Sequence, residues 1–223
     1  MSHTSQLARR RRARSFGTLG SLWIAITLGA WSGCASGPGT TSATVGPEAP
    51  PRVNVYAPGI PVSHPPFTVF HASWKTRADA HYVYFEHYGS YAETGSLIPS
   101  LLRELAAQGL EDDGPPFALF YDDPAVTPVD QLRSRVCVPI SGARSPRSPL
   151  RYEVLPQCNV AYAVVSGAYS EAPRAYPKLF EYMETYNWEV DGPIRETYVV
   201  PPTGDRKLQD LMCEIQVPVA TRR

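Results

Sequence analysis

The chain has 223 residues, 21 basic and 21 acidic side chains, and a hydrophobic content of 43%. That length holds one ordinary domain or two small ones, and the apolar content is that of a globular protein. Five of the 21 basic residues and none of the 21 acidic ones fall in residues 1–33. The remainder is mildly acidic and has no electrostatic footprint for nucleic acid.

The N-terminal segment reads as a targeting element rather than as fold. Arg9, Arg10, Arg11, Arg12 and Arg14 precede FGTLGSLWIAITLGAWSGC, which carries no charge from Phe16 to Cys34. A basic region, a short apolar region and small residues before a cysteine make an export signal. Ser32-Gly33-Cys34 resembles the end of a bacterial lipobox, so Cys34 is the expected lipidation site. Trp31 departs from that pattern, where leucine is usual, and an uncleaved anchor helix near the short limit for spanning a bilayer is the alternative. Either way, residues 1–34 predict an exported bacterial domain held at a membrane, on its periplasmic or outer face. Residues 35–65, rich in Pro, Gly, Ser and Thr, read as a tether. Val53, Val55 and Tyr56 in its second Pro-rich run suit packing against the domain edge.

Cys137, Cys158 and Cys213 remain, widely spaced and without CxxC, which allows at most one bridge. His64, His71, His81 and His87 form no HExxH or clustered spacing, so no metal and no cofactor is expected. No G-x-S-x-G elbow and no glycine-rich phosphate loop occur.

The most informative feature is an internal duplication. Shifted by 78 residues, HYGSYAETGSLIPSLLRELAAQGLEDDGPPFALFY (87–121) lies over VSGAYSEAPRAYPKLFEYMETYNWEVDGPIRETYV (165–199). Gly89 meets Gly167, Tyr91 meets Tyr169, Pro99 meets Pro177, and Gly114-Pro115 meets Gly192-Pro193. With one added residue, VCVP (136–139) meets IQVP (215–218). Each copy opens on a β-rich segment (82–89; 160–167), followed by a Gly turn, a Tyr and a helix. Leu97, Ile98, Leu101, Leu102 and Leu105 make one apolar stripe, matched by Ala175, Tyr176, Leu179, Phe180 and Met183. Two strands follow (117–121 and 134–140; 194–200 and 213–219), with a further short strand ahead (67–73; 150–155). The expected fold is α+β: two β-α-β-β units over about 66–140 and 149–219, related by a pseudo-twofold, with antiparallel sheets and helices on one side. A cleft between such copies is a common ligand site.

Within IRETY, Ile194, Glu196 and Tyr198 share one face of a strand and Arg195 and Thr197 the other. Glu196 on an apolar face is either a solvated edge residue or a carboxylate lining a pocket. The first copy has Ala118 at this position, so the acid belongs to one half only. A desolvated carboxylate favours a cationic ligand, and aromatic faces add to that preference. Tyr84, Tyr162, Trp188 and Tyr198 are the expected walls, with Tyr91 and Tyr169 behind the Gly turns. Since both copies keep Tyr91 and Tyr169, a structural role is the alternative for them. Glu214 is a second acid, either paired or solvated.

GSY and GAY before the helices, GPPFALFYDDP, VTPVDQLRSRVCVPI, GPIRETYVVP and MCEIQVPV, in this order, resemble the GyrI-like small-molecule-binding family, which includes the effector-binding domains of multidrug-responsive regulators. The resemblance covers roughly residues 66–219. It implies a two-repeat domain with a ligand cleft and places Glu196 at the family's pocket glutamate. The expected partner is a small hydrophobic or cationic molecule. Some members of the family are hydrolases of reactive small molecules; in that alternative Glu196 is a general base beside Tyr198. A protein-interaction domain is the third class. No helix-turn-helix precedes the domain, which argues against a DNA-binding regulator.

Overall fold

The computed structural model describes residues 58–200 and 207–222. The expected signal or anchor (1–34), the lipidation site Cys34 and most of the tether lie outside the described residues. Among the described residues no helix is long and apolar enough to cross a membrane.

The first copy supplies β1 (Ser73–Arg77), β2 (Ala80–Tyr88), the short helix α1 (Tyr91–Thr94), helix α2 (Ile98–Ala107), β3 (Phe117–Phe120) and β4 (Arg133–Pro139). The second supplies β5 (Arg151–Leu155), β6 (Cys158–Ser166), a 3-10 segment (Tyr169–Ala175), helix α3 (Tyr176–Glu184), β7 (Trp188–Val190), β8 (Ile194–Tyr198) and β9 (Met212–Thr221). Pro99 and Pro177 fall in the first turns of α2 and α3, where a missing N–H costs little. Gly109, just past α2, takes φ 66°, the left-handed conformation that ends a helix.

The sheet runs β1-β6-β9-β8-β3-β4-β2-β5, with β7 added on the end of β9. Read from either edge, this order gives equivalent strands of the two copies. The twofold passes between β3 and β8, and the first strand of each copy crosses to the other: β1 pairs with β6, and β5 with β2. The short strand ahead of copy one therefore starts at Ser73, later than the expected 67–73.

The helices cover one face. Ile98, Leu101 and Leu105 of α2 and Leu179 and Met183 of α3 pack on Val83, Val136, Ala161, Ala163, Ile215 and Val217. Leu102 and Phe180, counted in the apolar stripes, are exposed instead. The opposite face carries Tyr82, Phe117 and Leu119, each 0–1% exposed, in a cluster that no helix residue enters. A sheet that buries both faces with helices on only one must curl on itself, and this one forms a half-barrel. Its edges meet at one end, where Arg77 at the end of β1 donates to the Pro156 carbonyl just past β5 at 3.1 Å.

Part of the expected tether belongs to the domain. Ser63 is 1% exposed; its N–H donates to the Val164 carbonyl and its carbonyl accepts from Ser166, extending the sheet beside β6.

Candidate functional site

Glu196 sits in the middle of β8, on the face turned to the helices, and is 6% exposed. Its cross-strand partner on β3 is Ala118, its own equivalent in the first copy, so the pseudo-twofold axis passes through this pair. The Tyr176 hydroxyl, from the first turn of α3, donates to Glu196 Oε1 at 2.5 Å, and Tyr198 shares the same face of β8 two residues on. No cation pairs with this carboxylate among the described residues. Burial pushes its pKa up to about 7, with the hydroxyls of Tyr176 and Tyr198 pulling the other way. Burial and the adjacent carboxylate raise the pKa values of Tyr176 and Tyr198, so both remain donors. The result is a buried acid that exchanges its proton near neutrality, with no counter-charge among the described residues.

Of the other aromatic residues expected around Glu196, the structure brings two. Tyr198 is one, and the Tyr169 ring lies 4.8 Å from the Tyr198 ring. Tyr169 also donates to the carbonyls of Val200 and Met212, as Tyr91 does to those of Asp122 and Arg133. These are equivalent atoms in the two copies, and each tyrosine ties the end of one strand to the start of the next. Their shared role is structural. They stand one residue beyond Ser90 and Ala168, after Gly89 (φ 134°) and Gly167 (φ 114°), whose backbone turn a side chain would strain.

Three expected wall residues stand elsewhere. Tyr84 and Tyr162 point to the opposite face of the sheet, under the Arg135 guanidinium and the Lys75 ammonium respectively, each 4.1 Å away. Even spacing along a strand sets this: Tyr162 pairs with Gln216, one residue from the Ile215 that faces Glu196. Trp188, on β7, stacks on Tyr186 at 4.6 Å and meets Trp74 and Tyr182 at the outer edge. Glu214 is buried on the face opposite Glu196 and is paired with Lys75 at 2.6 Å. Tyr176 is the residue the sequence reasoning missed, having been counted as one apolar position of a helical stripe. Its signal was the only hydroxyl in that stripe, where the first copy has Ile98. The three described cysteines are free, and Cys137 and Cys213 are buried.

Two surface recesses are described, one between Phe70, His71 and α3 and one around His81, Gly142 and Arg195; neither includes Glu196. At 6% exposure and in contact with the Tyr176 hydroxyl, the carboxylate is covered from the side of α3. The segment that leads into this cover is tied less firmly than its equivalent. In copy one, Ser90 Oγ caps α1, and the buried Thr94 and Ser134 hydroxyls hydrogen-bond at 2.8 Å. In copy two the corresponding residues are Ala168, Ala172 and Cys213, and Ala168 offers no side-chain cap.

A duplicated α+β half-barrel with one buried carboxylate on its axis defines a class of ligand-binding domain, and the comparisons place it. The family model of the GyrI-like small molecule binding domain matches residues 73–220. The chain belongs to the GyrI-like small-molecule-binding domain family. A comparison with curated proteins found no match. Among solved structures, EcmrR in its DNA complex is similar at 18% identity and a TM-score of 0.63, over 71% of this chain and 60% of that one. The EcmrR C-terminal domain alone gives 18% identity and a TM-score of 0.62, over 69% and 99%. An uncharacterized conserved protein from Listeria innocua gives 9% and 0.50, over 67% and 92%. The chain thus spans 60% of the EcmrR chain, corresponding to its C-terminal domain and not to the whole protein.

Proposed function

We propose that this GyrI-like domain binds hydrophobic or cationic organic molecules with Glu196 as the charged contact, and that residues 1–34 export it and hold it at a membrane. The observation that carries the ligand reading is the buried Glu196, hydrogen-bonded by Tyr176 and without a cation among the described residues. Such a carboxylate is costly to ionise alone; an organic cation supplies the missing charge, and the flanking tyrosine rings offer faces to it. A ligand reaches the acid by displacing Tyr176 together with residues 170–175, which lack the Thr94–Ser134 tie of the first copy.

The test is thermal unfolding with a hydrophobic cation such as crystal violet. Stabilisation of the wild type, lost in Glu196→Gln, supports the reading; stabilisation kept in full by Glu196→Gln refutes it. A hydrolase is the second reading, favoured by a carboxylate that titrates near 7 beside two phenols, as a general base requires. It predicts catalytic consumption of strained electrophiles, abolished in Glu196→Gln while binding survives. The membrane reading is supported by the arginine cluster and apolar run before Cys34. It predicts that fatty-acid label enters the wild type and not Cys34→Ser.

A further inference from the structure

The face of the sheet turned away from the helices differs between the two halves of the sheet. In the half built from β3, β4, β2 and β5 it is an apolar cluster containing Phe117, Leu119, Cys137 and Leu155, each no more than 6% exposed. The pairing registers give their equivalents in the half built from β8, β9, β6 and β1. Leu155 faces Ala80 as Arg77 faces Cys158, and Cys137 faces Tyr84 as Gln216 faces Tyr162. Phe117 and Leu119 correspond to Arg195 and Thr197 across the β3–β8 seam. Four apolar residues of one half are thus Arg77, Arg195, Thr197 and Gln216 in the other.

All four retain buried polar atoms without a hydrogen-bond partner: Nε and Nη1 of Arg77, Nε of Arg195, Oγ1 of Thr197 and Oε1 of Gln216. Arg77, Thr197 and Gln216 are no more than 8% exposed. Leaving such atoms unsatisfied is costly, and the other half of the sheet fills the same places without that cost. The acid in this band, Glu214, is engaged by Lys75 and by Gln216 Nε2. Arg77 spends Nη2 on the Pro156 carbonyl and Cys158 Sγ. Arg195 lies over the Phe117 ring at 4.0 Å, and neither arginine is in an ion pair among the described residues. Burial, and then the charge of Arg77, lower the Arg195 pKa to about 10, which leaves it cationic at neutral pH.

Arg195 also lines a recess of about 320 Å³ whose wall includes Ala80, Pro115, Pro139 and Ile140, with Asp79 and Asp113 beside them. We propose that this recess is a second ligand site, for the carboxylate of a small organic acid, with Arg195 holding the anionic head. Guanidinium groups with free N–H donors match a carboxylate's two oxygens, and the apolar wall suits the body of the acid. The two aspartates disfavour a dianion, which selects a monocarboxylate over a phosphate. Arg195 points to the opposite face of β8 from Glu196, and the site prefers the opposite charge and does not depend on the reading of Glu196.

The test uses the full chain in detergent and sodium benzoate as probe, by calorimetric titration. Benzoate binds the wild type, and Arg195→Phe weakens it by about tenfold or more, the loss of a charge-assisted hydrogen bond. Arg195→Phe installs the residue of copy one, Phe117, so the variant unfolds at the same temperature as the wild type or higher without benzoate. Should Arg195→Phe fail to fold, Arg195→Gln gives the same reading. Glu196→Gln leaves benzoate binding intact, which separates this site from the other. Absence of benzoate binding, or equal binding to the wild type and to Arg195→Gln, overturns the proposal. Inorganic phosphate binding as tightly as benzoate overturns the choice of a monocarboxylate.

Discussion

Ala118 and Glu196 face each other across the β3–β8 seam and are each other's counterparts in the duplication. A residue that pairs with its own copy sits on the axis relating the copies, so whatever occupies this position in both halves meets itself. Directly opposed side chains on neighbouring strands have Cβ atoms about 4.5–5.5 Å apart. Two glutamates here would bring two buried carboxylates together, and one of them would have to keep a proton. The small apolar residue in copy one is what lets the acid in copy two exist.

Ala118→Glu is therefore expected to cost about 3–5 kcal/mol at pH 8, the range for an uncompensated buried charge. The loss is smaller at pH 5, where both carboxyls hold protons. Chemical denaturation at the two pH values checks both the size and the ordering.

The raised pKa of Glu196 also sets the pH dependence of stability. The folded state keeps the proton up to about pH 7, while the unfolded chain gives it up near pH 4.5. Between these values the folded state binds more protons than the unfolded one, so stability falls as pH rises through the window and levels off above it. The drop is on the order of 3 kcal/mol from a shift of this size. Denaturation of the wild type and Glu196→Gln from pH 4.5 to 8 should show the slope in the first and its loss in the second.

Tyr91 and Tyr169 bond equivalent carbonyls, so Tyr91→Phe and Tyr169→Phe are expected to cost similar amounts, about 1–2 kcal/mol each. Tyr91→Phe should leave crystal violet affinity unchanged. A large affinity loss in that variant would move Tyr91 from scaffold to site.

The duplication was legible because Gly, Pro and Tyr recur at one fixed offset, and those residues have backbone or hydrogen-bonding duties that few others can perform. The offset says which residues are equivalent. It does not say which strands pair, so the exchange of β1 and β5 between copies was hidden. Without that pairing, Tyr84 and Tyr162 could not be assigned a face relative to Glu196, and proximity in sequence to aromatic strands was misread as proximity to the acid. Trp188 was misplaced for a related reason: β7 is three residues long and pairs only with the end of β9. Tyr176 was hidden inside a helical stripe, where periodicity reports burial but not what a terminal hydroxyl reaches. Arg77 and Arg195 become conspicuous only when set against Leu155 and Phe117, a comparison that needs both the duplication and the register.

The cover over Glu196 can be tightened by copying the ties of the first half. Ala172→Thr with Cys213→Ser recreates the Thr94–Ser134 hydrogen bond under the 169–175 segment. Stopped-flow mixing with crystal violet should show association slowed by about fivefold, the equivalent of one net hydrogen bond. Unchanged association would mean that ligands enter by another route.

The most direct measurement is the affinity for crystal violet at pH 5.5 and pH 8, by calorimetric titration of the wild type and Glu196→Gln. If an organic cation is held by an ionised Glu196, wild-type affinity rises by about tenfold or more between these values as the carboxylate loses its proton, and the variant binds weakly at both. Equal wild-type affinity at the two pH values, or a variant that binds as tightly as the wild type, contradicts the account.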